Sequence, residues 1–303
     1  MAISDSIRQR LGLRISFSLA LLMLVLVFLS AWYLISKQTT VLEQQLVDKG
    51  IMQAGVGAKA LGYIIEKAID NGVFTLEDVF DSNFVEIPGF EPPKYHSKID
   101  WYLDNTILEI EDAFLVDPVV LYAVLSDRKG YVPTHNTRYQ QPISGDTNKD
   151  LMGNRTKRIF NDPVGLQASQ NQKDFLRQIY YRDTGEVLWD ISSPVYVKGR
   201  HFGAFRIGYS INQIDVNVSL LRQSIASVML ILTVLLSIAI FILVNRSILE
   251  LRRITDLASQ MADGDLDVKI ESTSVDEIGK LADVLERMRV SLQKTLERLK
   301  RNF

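Results

Sequence analysis

The chain of 303 residues is 47% hydrophobic and 23% charged, and 34 Lys and Arg against 36 Asp and Glu leave a net charge of -2. So even a balance gives no basic footprint for a nucleic-acid partner. The absence of cysteine removes disulfides, thiolate metal sites, iron–sulfur clusters and thiol nucleophiles together.

A mean hydropathy of +0.07 with this much charge means that the apolar residues are concentrated in segments. Residues 1–14 form a short basic stretch with Arg8, Arg10 and Arg14, and residues 15–36 then run without a charge. A helix of that length rises about 33 Å, enough for a hydrocarbon core of about 30 Å. Trp32 and Tyr33 fall at its far end, where amphipathic rings favour the headgroup layer. A cleaved signal peptide is the alternative, but its apolar core would be shorter and no A-x-A site follows.

Residues 37–222 read as one α+β domain. Val47, Ile51, Ala54, Ala58, Leu61, Ile65 and Ala68 recur in steps of four and three within 37–71, which predicts a long helix leaving the membrane. Gly55 and Gly57 on it permit close helix approach. Pro88, Pro92 and Pro93 make 74–98 a loop, and a helix is expected over 98–114. Strands follow at 119–126, from Tyr131, at 175–182, 186–197 and 201–211, separated by turns at Asp127–Gly130, Asp183–Gly185 and Lys198–Gly199. They predict an antiparallel sheet of about five strands, with Pro194 marking an edge or a bulge because proline cannot donate to a ladder.

A second uncharged run covers 223–245 and is followed by Arg246, Arg252 and Arg253. Basic residues on both outer flanks place both termini in the cytoplasm and 37–222 outside the inner membrane, with lipid around the spans.

Residues 246–298 hold two helical stretches with apolar residues at three- and four-residue steps: Leu251, Ile254, Leu257 or Ala258 and Met261, then Ile278, Leu281, Leu285, Met288 and Leu292. One narrow seam cannot bury itself, so two helices per chain imply a parallel four-helix coiled coil made by a homodimer. The connector reads Gly264-Asp265-Leu266, then Val268 and Ile270, then Asp276-Glu277-Ile278-Gly279. Glycine suits a helix end and acidic residues suit the first turn of the next helix. The segment resembles a HAMP linker, which implies that Leu251, Ile254, Gly264, Asp276, Glu277, Ile278, Leu281, Leu285 and Met288 relay a signal. Glu250 stands where such linkers commonly carry proline, which puts the coupling angle to the membrane helix in question.

The strings "DRKGYVPTHN", "GNRTKRIFNDPVG" and "YRDTGEVLWDISSPVYVKGRHFGAFRIGY" resemble the PAS/Cache-like sensory part of methyl-accepting chemotaxis proteins, over about residues 40–215. The resemblance implies an antiparallel sensor sheet with a long N-terminal helix and a covering loop at 154–158. That loop holds Arg155 and Arg158, whose forks suit a carboxylate. Tyr122, Tyr131, Tyr180 and Asp190 are expected on the same sheet face, Asp190 receiving an amine, so the expected ligand is a small periplasmic anion or zwitterion. If the arginines serve a ligand and not the fold, replacing either leaves the unliganded stability unchanged. The competing reading is a solvated basic face. Arg206 lies between Phe205 and Ile207 and points away from their face, as a surface charge or a structural ion pair.

His96, His135 and His201 lack metal-ligand spacing, and neither a G-x-S-x-G elbow nor a phosphate loop occurs. The reading is a receptor, not an enzyme, without a cofactor. Residues 299–303 start an output helix, and the chain ends before any kinase, cyclase or methylated hairpin. The output is expected to be of chemotaxis type, on a longer chain or through a cytoplasmic partner protein. Alternatives are the sensor portion of a histidine kinase or cyclic-dinucleotide enzyme, and a HAMP-only adaptor acting in trans.

Overall fold

The computed structural model describes residues 11–272 and 274–301; the basic residues Arg8 and Arg10 lie outside them. Two compact units emerge, one covering Ser36–Arg222 and the other formed by the segments on either side of it.

In the first unit, helix α1 (Leu11–Asp70) brings Val47, Ala54, Ala58, Leu61, Ile65 and Ala68 to its buried side, as the three- and four-residue spacing requires. The remaining elements are α2 (Leu76–Val79), β1 (Val85–Ile87), β2 (Lys94–His96), α3 (Asp100–Thr106), α4 (Leu108–Ala113), β3 (Val120–Asp127), β4 (Tyr131–Val132), α5 (Thr147–Gly153), β5 (Arg158–Ile159), α6 (Pro163–Ser169), β6 (Leu176–Tyr181), β7 (Val187–Val197) and β8 (Arg200–Ser210). The expected helix over 98–114 is two short ones, divided at Ile107.

Four strands pair antiparallel in the order β3-β8-β7-β6. The fifth expected strand does not join them. The two-residue strand β4 leaves the turn after Asp127 and pairs with β5 in a separate ribbon, Tyr131 opposite Ile159 and Val132 opposite Arg158. Pro194 sits in β7, an inner strand, opposite Ala204 of β8. It is tolerated because β6 begins only at Leu176, opposite Ser192, so β7 has no neighbour on that side at Pro194. The β7–β8 register shifts immediately afterwards, between Val195 and Tyr196.

One sheet face packs on α1, α3 and α4. Leu125, Ile191, Val195, Phe205, Ile207 and Tyr209 meet Ala54, Leu61, Ile65, Leu103 and Ile107 in one core. Each such side chain, fully buried, contributes about 1.5–3 kcal/mol. The close approach is between helix and sheet: a Cβ on Gly57 would stand 2.2 Å from the Phe205 ring. The buried carboxylate of Glu111 on α4 accepts hydrogen bonds from Leu125 N (2.9 Å) and Thr134 Oγ1 (2.9 Å), tying helix, strand and the following loop together. Desolvation raises its pKa well above the usual carboxylate range.

In the second unit, the early part of α1 and helix α7 (Ile211–Ala262) are long and apolar enough to cross a membrane. No proline interrupts α7 at Glu250; there the carboxylate Oε1 accepts from Ser272 Oγ (2.5 Å). After α7, Gly264 takes φ +99° and its N–H donates to Met261 O (3.2 Å). Asp276 Oδ1 then accepts from Ile278 N (2.9 Å) at the start of α8 (Glu277–Arg301). Ile254, Ile270 and Ala282 form a small buried cluster with Leu257, Met261, Ile278 and Leu285. Leu281, Met288 and Leu292 remain 42–51% exposed on another stripe of α8, so the single seam expected from the sequence is two.

Candidate anion-binding site

On the sheet face away from α1, Tyr122, Gln178, Tyr180, Asp190 and Arg206 stand among the apolar Val124 and Leu188. The loop from Val132 to Val164 covers them. Its sequence explains how. Asp127 Oδ1 accepts from Lys129 N and Tyr131 N (both 2.8 Å) to close the turn. Asn136 Oδ1 accepts from Ala123 N (2.8 Å) and pins the loop to β3, which carries His135 inward. Asp162 caps α6 by accepting from Val164 N (3.1 Å) and Gly165 N (2.9 Å), and Pro163 starts that helix.

Asp190 is fully buried. Its Oδ1 accepts from Tyr122 OH (2.5 Å) and Arg206 Nε (3.1 Å), and its Oδ2 from Gln178 Nε2 (3.0 Å). Burial, then the neighbouring Asp190 carboxylate, raise the Tyr122 pKa well above the ordinary phenol range, so Tyr122 stays a donor. Tyr180 donates to Asp162 Oδ2 (3.2 Å), and burial pushes its pKa to about 12.

Arg155 is 2% exposed. It donates to Leu151 O (3.0 Å) and pairs through Nη2 with Asp183 Oδ1 (2.8 Å), while Arg158 Nη2 pairs with Asp183 Oδ2 (3.3 Å). Both guanidinium groups lie about 5 Å from the Phe160 ring centre, at 4.9 and 5.0 Å. Arg182 pairs with Glu186 and faces the Tyr122 and Tyr139 rings.

Tyr122, Val124, Val132, His135, Arg155, Phe160, Tyr180, Arg182 and Arg206 enclose a chamber of about 20 Å³. An outer cleft of about 330 Å³ shares Phe160, Tyr180 and Arg182 with it and adds Arg158, Asp162 and Asp183. Burial first, then Arg155, Arg182, Arg158 and Arg206, drive the His135 pKa well below its ordinary value, so its imidazole is neutral. Arg158 Nη1, Arg182 Nη2, Arg206 Nη2 and His135 Nδ1 are buried without a hydrogen-bond partner. Unpaired buried donors on guanidinium groups are costly; the chamber's 20 Å³ is room for about one water, and a larger group could reach these donors only from the outer cleft.

Of the six residues expected at the site, five lie at the chamber, the outer cleft or the carboxylate behind them. Tyr131 does not. The pleat that turns Val132 toward the chamber turns Tyr131 the other way, where its hydroxyl donates to Asp100 Oδ2 (2.7 Å) and Tyr95 O (2.9 Å). Asp190 lines neither the chamber nor the outer cleft and is held behind them by three donors, so it does not face an amine. Arg206 is 3% exposed and is a structural ion pair. Sequence reasoning missed His135, Phe160, Arg182 and Asp183; the parity of Arg182 with Tyr180 and Gln178 along β6 was the available signal.

The sequence matches the HAMP domain family over residues 242–294. A 49-residue segment is 53% identical to the sensory rhodopsin I transducer of Haloarcula marismortui, covering 15% of this chain and 9% of that protein's length. In structure, the chain is similar to the E. coli DcuS sensor domain, with 15% identity over 59% of this chain and 98% of that one and a TM-score of 0.35. The sensory domain of the Campylobacter jejuni chemoreceptor Tlp3 with isoleucine bound gives 11% identity over 59% and 65% of the two chains, at a TM-score of 0.30. A HAMP domain on an apolar helix, preceded by an α+β domain between two such helices, defines a transmembrane sensor and transducer. Residues 242–294 are its HAMP domain.

Proposed function

We propose that the chain is the input and relay part of an inner-membrane receptor whose Cache-like outside domain senses a small organic anion. The observation that carries this is the set of three unpaired guanidinium nitrogens around a neutral His135. The carboxylates nearby are engaged: Asp190 by Tyr122, Arg206 and Gln178, Asp183 by Arg155 and Arg158, and Glu186 by Arg182 and Thr184. The chamber and the outer cleft together carry Arg155, Arg158, Arg182 and Arg206 against Asp162 and Asp183, so the charge favours an organic acid over an amino acid. Binding shifts β6–β8 and, through the helix that follows Ser210, the HAMP helices of a homodimer with cytoplasmic termini. A chemotaxis-type output is the reading we favour; a histidine kinase, a cyclic-dinucleotide enzyme or a partner acting in trans would use the same relay.

The test is a thermal-shift screen of the full chain in detergent with organic acids and amino acids. A ligand at 100 times its Kd adds about 2.7 kcal/mol, and Arg158→Gln should reduce the response. Arg155→Ala is the poorer probe, because Arg155 also ties Leu151 to Asp183 and its loss unfolds structure as well. A flat screen would defeat the organic-anion reading and leave a partner protein as the input.

A further inference from the structure

The fork formed by Arg155 and Arg158 is not vacant. One carboxylate, Asp183, spans both guanidinium groups at 2.8 and 3.3 Å, the bidentate arrangement that a bound organic acid would adopt. Asp183 belongs to the hairpin tip between β6 and β7, which Arg182 N closes onto Glu186 O (2.9 Å) and Gly185 N onto Arg182 O (2.9 Å). Its side chain is 35% exposed, whereas those of Arg155 and Arg158 are 2% and 9% exposed. The carboxylate therefore reaches in from solvent to a fork that the fold itself holds. The outer cleft, with Asp183 in its wall, shares Phe160, Tyr180 and Arg182 with the chamber, so the hairpin stands on the route inward. Burial opposes the charge on Asp183, yet Arg155 and Arg158 hold its pKa below the usual range. The fork carries two cations for this one anion. Burial, then Arg155, lowers Arg158 in spite of Asp183.

We propose that Asp183 is a built-in competitor for the ligand: its carboxylate occupies the Arg155–Arg158 fork, and an incoming carboxylate displaces it and releases the β6–β7 hairpin tip. The proposal rests on the organic-anion reading above and adds a mechanism to it. Exchange of one carboxylate for another keeps the charge of the fork constant, so binding is coupled to movement of the hairpin without leaving a buried cation exposed to its neighbour. A ligand carboxylate must out-compete a tethered group, which sets the sensor's threshold.

The experiment uses the full chain in nanodiscs, the variants Asp183→Ala and Asp183→Asn, and sodium acetate as the probe. Two quantities are read: hydrogen exchange of the amides at 182–186, and acetate affinity by thermal shift. The expected result is at least tenfold faster exchange at the hairpin tip in both variants and at least tenfold tighter acetate binding than in the unaltered chain. Asp183→Asn keeps the shape of the side chain and covers the case in which Asp183→Ala fails to fold. Equal acetate affinity in all three proteins would overturn the competitor while leaving the anion site standing. Faster exchange at the tip with no acetate binding in any of them would overturn both, and Asp183 would then be an ordinary structural ion pair. Unchanged exchange at 182–186 would also sink the proposal, whatever acetate did.

Discussion

The two faces of the four-stranded sheet are built from alternate residues of the same strands, and they are stabilised in opposite ways. Toward α1, β8 presents Phe205, Ile207 and Tyr209, and β7 presents Ile191 and Val195, all buried among apolar side chains. There fit alone decides, and the hydrophobic effect asks nothing of direction. Toward the loop, the same two strands present Arg206 and Asp190, and the fold is held by charges that must be placed to within a hydrogen bond. The first face is complete within the chain. The second keeps unpaired donors on Arg206, Arg182 and Arg158, and a residue set that is costly to bury yet not fully satisfied is what a binding site needs.

The largest expected effect is on the apolar face. Phe205→Ala should cost about 3–5 kcal/mol, because the ring fills the space above Gly57 and the helix cannot collapse onto the sheet to replace it. Unfolding of the full chain in detergent, followed through Trp189 fluorescence, measures this. A loss below about 1 kcal/mol would mean that the helix–sheet contact is soft.

On the opposite face, Asp190→Ala should cost about 3 kcal/mol or more, because Arg206 and the Tyr122 hydroxyl are left buried without their acceptor. The comparison predicts an asymmetry. Asp190→Leu combined with Arg206→Met and Tyr122→Phe should recover much of that loss, as apolar replacement of a buried pair often does. The triple variant should have no organic-anion response. Recovery of stability together with an intact response would show that these groups serve the fold alone.

How much of each face could be read from the sequence follows from the same contrast. Alternation along β7 and β8 was sufficient for the apolar side, and steps of three and four were sufficient for the buried side of α1. The polar side needs register as well. Asp190 lies opposite Gly208, not Arg206, which is opposite Ser192, so the pair is a diagonal that no linear pattern marks. The sequence leaves Arg206 open between a surface charge and a structural ion pair, because nothing in the strand says that residues 132–164 cover that face. Tyr131 falls elsewhere for a related reason: the return strand is two residues long and pairs with β5 in another ribbon, where Val132 faces the chamber and its neighbour Tyr131 the opposite side. In the HAMP domain, the sequence shows the apolar positions of α8 but not their division between two stripes, since steps of three and four fit both.

That division gives the next prediction. Ile278, Ala282 and Leu285 face the connector and α7, while Leu281, Met288 and Leu292 are exposed in the single chain. If a second copy covers them, Leu281→Asp buries a charge and should lower the stability of the assembly by roughly 2 kcal/mol or more. Without a second copy, a substitution at so exposed a position would stay within about 0.5 kcal/mol. Cysteines at 281 and 288 should crosslink between chains far better than cysteines at 283 and 287; equal crosslinking on all sides would count against a packed dimer.

The smallest effect is at the edge of the apolar side. Asp127 closes β3 on that side, at the groove where Phe80 and Phe202 meet solvent. Burial raises its pKa from 3.8 to about 6, against the pull of hydrogen bonds from Tyr131 N and Lys129 N. In the unfolded chain the acid loses its proton near pH 4, whereas in the folded chain it keeps the proton to about pH 6. Between these values the folded state binds more protons, so stability contributed by this group is present below about pH 4 and is lost as the pH rises to about 6. Asp127→Asn keeps an oxygen for both backbone donors and removes the titration. The difference in stability between this variant and the unaltered chain should therefore move in the variant's favour across pH 4 to 6 and be constant above that range. A difference that does not change with pH would mean that the Asp127 carboxylate is solvated well enough to ionise normally, and that the apolar side of the sheet opens to water one residue earlier than its packing indicates.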